Sequence, residues 1–169
     1  SRRNYMESSM TARTDDLRIQ QINELISPEQ LVKDIGVSEV ATETVAQARQ
    51  TIHRILECED DRLLAIVGPC SIHDPAAALD YAALLQRAAQ EFTDDLFVVM
   101  RVYFEKPRTT VGWKGLINDP DLNNSFHINK GLHIARQLLS DLAEMGLPSG
   151  TEYLDLITPQ YSADLVSWG

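Results

Sequence analysis

No apolar run in the 169 residues approaches the ~20 needed to cross a bilayer, so no segment reads as a membrane span. The opening SRRNYMESSM has two arginines but no apolar stretch after them, which excludes a secretory signal reading. Residues 1–14 are expected to be a disordered leader, with Met10 a candidate natural start. Cysteine is scarce too. Cys58 and Cys70 are too few for a disulfide framework, and the default compartment is cytoplasmic. Positive charge is the third shortage: 15 Lys and Arg face 25 Asp and Glu, a formal net charge of −10. That balance gives no support to nucleic acid or an anionic membrane as a partner.

What is present is a globular composition, 44% hydrophobic and 24% charged, long enough for a domain with a core. The acidic background makes one local feature informative. Arg101, Lys106, Arg108 and Lys114 cluster in a short stretch, and a basic patch in an acidic chain focuses its field on a small anion.

Residues 15–26, DDLRIQQINELI, predict a helix with an acidic first turn. Ser27-Pro28 with Gln30 predicts a capped short helix over 28–35, and Val45, Ala48, Ile52 and Ile55 mark another over about 44–57. Together residues 15–61 read as a helical N-terminal extension. From Leu63 the pattern changes. LLAIVGP reads as a strand buried on both faces, as in a parallel sheet. Asp74-Pro75 then opens a helix carrying Ala78, Ala82, Leu85, Ala89 and Phe92. LFVVMRVYF (96–104) is a second strand, followed by a long polar loop over about 105–124. Ile128 to Met145 form a third-period helix closed by Gly146, SGTEYLDL (149–156) is strand three, and 159–169 starts another helix.

Alternating strands and helices predict an α/β protein with a parallel sheet, either open and doubly wound or a closed (β/α)8 TIM barrel. A barrel needs ~250 residues, so residues 62–169 would supply about its first three βα units and the chain reads as truncated. In both architectures ligands bind at the carboxyl ends of the strands. There the sequence puts Cys70, Arg101, Lys106, Arg108, Thr109 and Glu152. Arginine grips phosphate or carboxylate with two parallel bonds, and lysine adds a point charge. Pro107 stiffens the backbone between two cations that repel, and Thr109 offers a hydroxyl. Arg101, at the end of an apolar strand, is either a substrate ligand or half of a structural ion pair with Glu152. Cys70 is either a small core residue or part of the site; Cys70-x-x-His73 lacks the further ligands that a metal site needs. His53, His127 and His133 show no acidic or thiol partner at useful spacing and receive no role.

Three stretches, GPCSIHDP (68–75), MRVYFEKPRTTVGWKGLINDPDLNNSF (100–126) and ITPQYSADLVSWG (157–169), resemble the class I 3-deoxy-D-arabino-heptulosonate 7-phosphate (DAHP) synthases. The likeness runs from about Asp15 to Gly169. It implies a (β/α)8 barrel with an N-terminal extension and condensation of phosphoenolpyruvate with erythrose 4-phosphate, the entry to the shikimate pathway. By that resemblance Cys70 is a ligand of a divalent metal (Mn, Fe, Co or Zn) and Arg101 and Lys106 bind phosphoenolpyruvate. Arg108 and Thr109 hold erythrose 4-phosphate, and Glu152 is a further candidate for handling water. The remaining metal ligands come from later strands, so the chain alone is expected to be inactive and poorly folded. The resemblance also implies feedback by an aromatic amino acid, with phenylalanine favoured. Asp15, Asp16 and Ile19 match one part of the effector pocket, and Leu156 and Gln160 the other, Leu156 standing where the family has Met. Homo-oligomers, dimers or tetramers, are implied as well. A synthase acting on arabinose 5-phosphate and a non-catalytic regulatory module are the competing readings.

Overall fold

Ser27 starts the first helix as its sequence predicts. In the computed structural model, which describes residues 23–107 and 111–169, its hydroxyl accepts from the Gln30 backbone at 3.2 Å. Pro28 occupies the first turn of α1 (Pro28–Asp34). Gln30 does not complete a capping box; its amide donates instead to Asp34 at 2.7 Å. A second serine cap was not foreseen. Ser38 accepts from Ala41 N, so α2 (Glu39–Leu56) begins five residues before the predicted start and buries Ala41, Val45, Ala48 and Ile52. Of the predicted helix over 15–26, residues 15–22 lie outside the described residues, and 23–26 are not helical.

Three strands follow: β1 (Leu63–Val67), β2 (Leu96–Arg101) and β3 (Ser149–Gly150), ordered β1-β2-β3. Both pairings are parallel, running from Leu63 opposite Leu96 to Val67 opposite Met100, then Arg101 opposite Gly150. Helices α3 (Pro75–Gln90) and α4 (Ile128–Glu144) fill the crossovers. Asp74 caps α3 by accepting from Ala76 N and Ala77 N, and Gly146 ends α4 at φ +76°. The core runs between α4, β2 and the extension, with Met100, Val102, Leu132, Leu138, Leu139, Leu142 and Leu31 all buried.

Three sequence expectations need correction. Strand β1 is not buried on both faces: Leu63 is 69% exposed and Ile66 and Val67 nearly 40%. It pairs on one side only, with β2, and no strand among the described residues pairs with its other edge. Strand three has two residues, not eight, because the chain leaves the β2 ladder after Gly150. Thr151 then binds Val102 O through its hydroxyl at 2.7 Å and Trp168 O through its amide at 2.9 Å. The closing helix is also short. Helix α5 (Pro159–Ser162) passes into a single 3-10 turn (Ala163–Leu165), and Trp168 forms a parallel bridge with Gly150. The end of the chain is therefore drawn into the sheet beside β3 rather than along a helix. Three parallel strands in sequence order establish a parallel α/β fold with an N-terminal helical layer; the sheet does not close on itself among the described residues.

One side chain joins these layers. Arg136, fully buried on α4, donates to the α1 C-cap carbonyl of Ile35 at 2.9 Å and to Tyr161 O at 2.9 Å. It also grips both oxygens of Asp164 at 2.8 Å. Hydrogen bonds from Arg136 hold the Asp164 carboxyl below its ordinary value, against the opposing effect of burial. A depressed carboxylate contributes stability above its unfolded value, near pH 4, and loses it as pH falls through the folded value. Asp164→Asn should therefore destabilise the chain at pH 7 by about 1–3 kcal/mol, below the ~3–5 of a fully buried pair because Asp164 is 45% exposed. Urea titrations at pH 7 and pH 3 test this; a gap between parent and variant that fails to shrink in acid contradicts it.

Candidate functional site

Parallel pairing brings the ends of β1 and β2 side by side, and the contact there is close. A Cβ on Gly68 would lie 2.6 Å from Arg101 O, so only glycine lets the two chains run this near. Beyond it, Ile72 N donates to Tyr103 O at 2.8 Å, which keeps Cys70 alongside the extension of β2. Two cations converge on Cys70. Its carbonyl accepts from Arg101 Nη2 at 3.3 Å and from Lys106 Nζ at 3.4 Å, and Lys106 Nζ lies 3.2 Å from Cys70 Sγ. The Arg101 guanidinium stacks on Tyr103, 4.0 Å from the ring centre, and its buried Nε has no partner.

Lys106 is aimed by a piece of hairpin that the sequence reading took for plain loop. Its amide donates to Lys114 O at 3.0 Å, and Glu105 pairs antiparallel with Gly115. Gly115 sits at φ +108°, where a Cβ would meet Phe104 O at 2.1 Å. The far arm is anchored in turn: Trp113 Nε1 donates to Asp119 O at 2.8 Å, and Ile117 rests on Gly131 of α4 with no room for a methyl group. Glycine at 115 and at 131 was the available signal for this packing.

Glu105 is the functional-site residue that sequence reasoning missed. It stands between Arg101 and Lys106 in the chain, yet it forms no ion pair with either among the described residues. Asn118 donates weakly to Oε1 at 3.4 Å, and buried Oε2 has no partner. Burial raises its proton affinity above the ordinary glutamate value, and the nearby charges of Asp155 and Glu152 raise it further. An acid flanked by two cations in the sequence predicts an ion pair; only the folded chain shows a half-buried carboxyl held by one weak bond from Asn118.

Of the predicted site residues, Cys70, Arg101 and Lys106 are brought together. Glu152 lies on the neighbouring strand end, exposed, and forms no ion pair with Arg101 among the described residues, so the structural alternative for Arg101 is not realised. Arg108, Thr109, Asp15, Asp16 and Ile19 lie outside the described residues. Leu156 and Gln160 share one turn, with Gln160 Nε2 3.4 Å from Leu156 O and Leu156 91% exposed. Asp155 pins that turn by accepting from Ile157 N, Thr158 N and Thr158 Oγ1 at 2.6–2.7 Å. Two histidines do have acidic neighbours, contrary to the sequence reading. His127 Nδ1 is 2.8 Å from Asp121, and His133 Nε2 is 3.3 Å from Asp34. Both contacts are at the surface. Among the described residues no group of three or more His, Cys, Asp and Glu side chains is placed to hold a metal ion, and no helix is long and apolar enough to cross a membrane.

Comparison with known proteins decides the family. The DAHP synthetase I family pattern matches residues 34–169. The chain belongs to the DAHP synthetase I family. Among its relatives, the Phe-sensitive phospho-2-dehydro-3-deoxyheptonate aldolase of Escherichia coli K12 is 59% identical over 160 residues, 95% of this chain and 46% of that protein. The phospho-2-dehydro-3-deoxyheptonate aldolase of Amycolatopsis methanolica is 56% identical, over 92% of this chain and 76% of its own length. The solved phospho-2-dehydro-3-deoxyheptonate aldolase of Francisella tularensis SCHU S4 superposes with a TM-score of 0.87 at 56% identity, covering 89% of this chain and 44% of that one. The chain thus spans about half the length of the E. coli and Francisella relatives.

A carboxyl whose proton affinity is raised by folding favours the folded state while protonated, and costs stability as pH climbs through its folded value. Glu105→Gln in this DAHP synthetase I chain should therefore raise stability at pH 7 and change it little at pH 4. Thermal denaturation at the two pH values checks it; a variant no more stable at pH 7 than its parent would show that Glu105 is satisfied as a carboxylate.

Proposed function

We propose that this chain forms the phosphate-gripping wall of a site that condenses phosphoenolpyruvate with erythrose 4-phosphate, yielding the heptulosonate 7-phosphate and inorganic phosphate. One observation carries the reading. Arg101 and Lys106 converge at 3.3 and 3.4 Å on a single carbonyl at the ends of two adjacent strands, with no carboxylate partner among the described residues. Two cations held together without a counter-charge suit a doubly charged phosphate or a carboxylate. In this reading Arg101 and Lys106 bind phosphoenolpyruvate, while Arg108 and Thr109 hold the phosphate of the tetrose. C3 of the enol attacks the aldehyde carbon, water adds at C2, and phosphate leaves. Fixed cations at the phosphate stabilise that departure, and substrates held face to face make the carbon–carbon bond an effectively intramolecular event. In the same reading Glu152, exposed two residues past β3, orders water.

The relatives' names support the reaction and its regulation: one is Phe-sensitive, and another, from Buchnera aphidicola, is Trp-sensitive. The wider architecture in this reading is a (β/α)8 barrel, assembled into homo-oligomers in the cytoplasm. Phenylalanine is the proposed effector, bound by Leu156 and Gln160 together with Asp15, Asp16 and Ile19. Cys70 is the proposed thiolate ligand of a divalent metal, which would supply Lewis-acid polarisation of the aldehyde. The described residues offer that one ligand and not the three or four that a metal site requires, so no step is assigned through the metal.

The chain joined in frame to the remaining half of the E. coli relative provides the test. Arg101→Ala and Lys106→Ala should each lower kcat/KM for phosphoenolpyruvate about 100-fold or more with unchanged circular dichroism; losses under tenfold in both remove these residues from the site. Isothermal titration of the same fusion with phenylalanine, tyrosine and tryptophan should show phenylalanine binding that Gln160→Ala weakens. Absence of phenylalanine binding eliminates the effector assignment and leaves the catalytic one standing.

A further inference from the structure

Lys106 touches Cys70 at two atoms, and the closer of them is the sulfur, 3.2 Å from Nζ. The contact is enforced rather than incidental. The lysine backbone is fixed by its bond to Lys114 O and by the Glu105–Gly115 bridge, while Gly68 sets the approach of the Cys70 segment to β2. Cys70 is exposed, so a small oxidant has access to the thiol. The second cysteine serves as a built-in comparison. Cys58 is also exposed, but it lies just past the end of α2 at φ +58°, and among the described residues no lysine bonds its sulfur.

We propose that Cys70 and Lys106 form a reversible covalent cross-link, a sulfenamide, when the thiol meets hydrogen peroxide. In the first step the sulfur takes one oxygen as the O–O bond breaks; sulfur loses two electrons, peroxide gains two, and the products are a sulfenic acid and water. In the second, Lys106 gives its ammonium proton to solvent and the resulting amine attacks the sulfur through its lone pair. The S–N bond forms as the S–O bond breaks, and hydroxide leaves with an amine proton as water. Sulfenic acids condense in this way with nearby thiols and nitrogens, and the amine already stands in van der Waals contact with the sulfur. Two equivalents of a small thiol reverse it, returning the free thiol and amine and a disulfide of the reductant.

The bond withdraws a cation and a thiol from the strand ends together, and it shields the sulfur from the irreversible sulfinic and sulfonic steps. The chemistry stands on these two side chains alone, whereas its consequence for the condensation rests on the function proposed above.

Peptide mapping by mass spectrometry of the chain joined in frame to the remaining half of the E. coli relative, reduced, freed of metal with a chelator and then treated with peroxide, decides the matter. The expected product joins the Cys70 and Lys106 peptides with a loss of two hydrogens, disappears on adding dithiothreitol, and is absent when peroxide is added in guanidinium. Lys106→Arg keeps the positive charge but removes the primary amine, so the link should be lost and Cys70 recovered as sulfinic acid. Cys58 should reach the acid forms in both proteins. Recovery of Cys70 as unlinked sulfinic acid from the folded parent overturns the proposal, as does equal linkage of Cys58 to lysine. Because the readout is a bond and not turnover, it fails or succeeds independently of the catalytic assignment.

Discussion

A guanidinium buried beyond the reach of water must have its charge and its donors met by the protein, and Arg136 is in that position. Its bonds reach Ile35 at the end of α1, Tyr161 in α5 and Asp164 in the turn that follows, so α4 holds the extension and the last helical segment at once. Two further contacts act in the same direction. The Tyr161 hydroxyl donates to Ile26 O at 2.7 Å, and Arg49 on α2 reaches Ala163 O and Val166 O at 2.6 and 2.7 Å. The extension is thereby integral to the fold. Its polar anchors fix the register in which Leu31, Ala41 and Val45 meet the apolar face of α4.

With that frame in place, the strand ends meet for a simple geometrical reason. Parallel strands joined by helices all present their carboxyl ends on one side. Residues far apart in the chain, Cys70 and Arg101 among them, become neighbours there without further design. What distinguishes the site is the division of charge across it. Arg101 and Lys106 reach the Cys70 carbonyl, while Glu105 takes only a weak bond from Asn118 and pairs with neither cation among the described residues. Cations that are not neutralised by their own acidic neighbour remain available to an anion. A carboxyl set among carboxylates holds its proton more tightly, which lowers the local negative charge that would oppose such an anion.

Much of this was legible in one dimension because it depends on local chemistry. Serine and aspartate before proline announced α1 and α3, helical periodicity announced α4, and the long motifs from Gly68 and Met100 pointed to the family. Where the sequence misled, the missing information was long-range. The eight-residue strand over 149–156 has ordinary strand composition, but its partners run out after Gly150 and the Trp168 segment captures Thr151. The helix expected over 159–169 was cut short by the same pairing, since Ser167 and Trp168 turn their amides to Ser149 O. Leu63, Ile66 and Val67 have the apolar character of a buried strand, but burial needs a neighbour on both sides, and β1 is paired on one alone.

By itself, then, the sequence determined the capped helices α1 and α3, the periodic helix α4, the first two strands, the parallel α/β class, and the residue types gathered at the strand ends. These follow from caps, periodicity and turn residues, each acting over a few positions. Tertiary structure alone decided where the charges point. It set Lys106 against the Cys70 sulfur, half-buried Glu105 beside Asn118, and buried Arg136 among three segments. A side chain's charge is written in its residue type, but its partner is chosen by packing, because desolvation and distance depend on atoms many residues away.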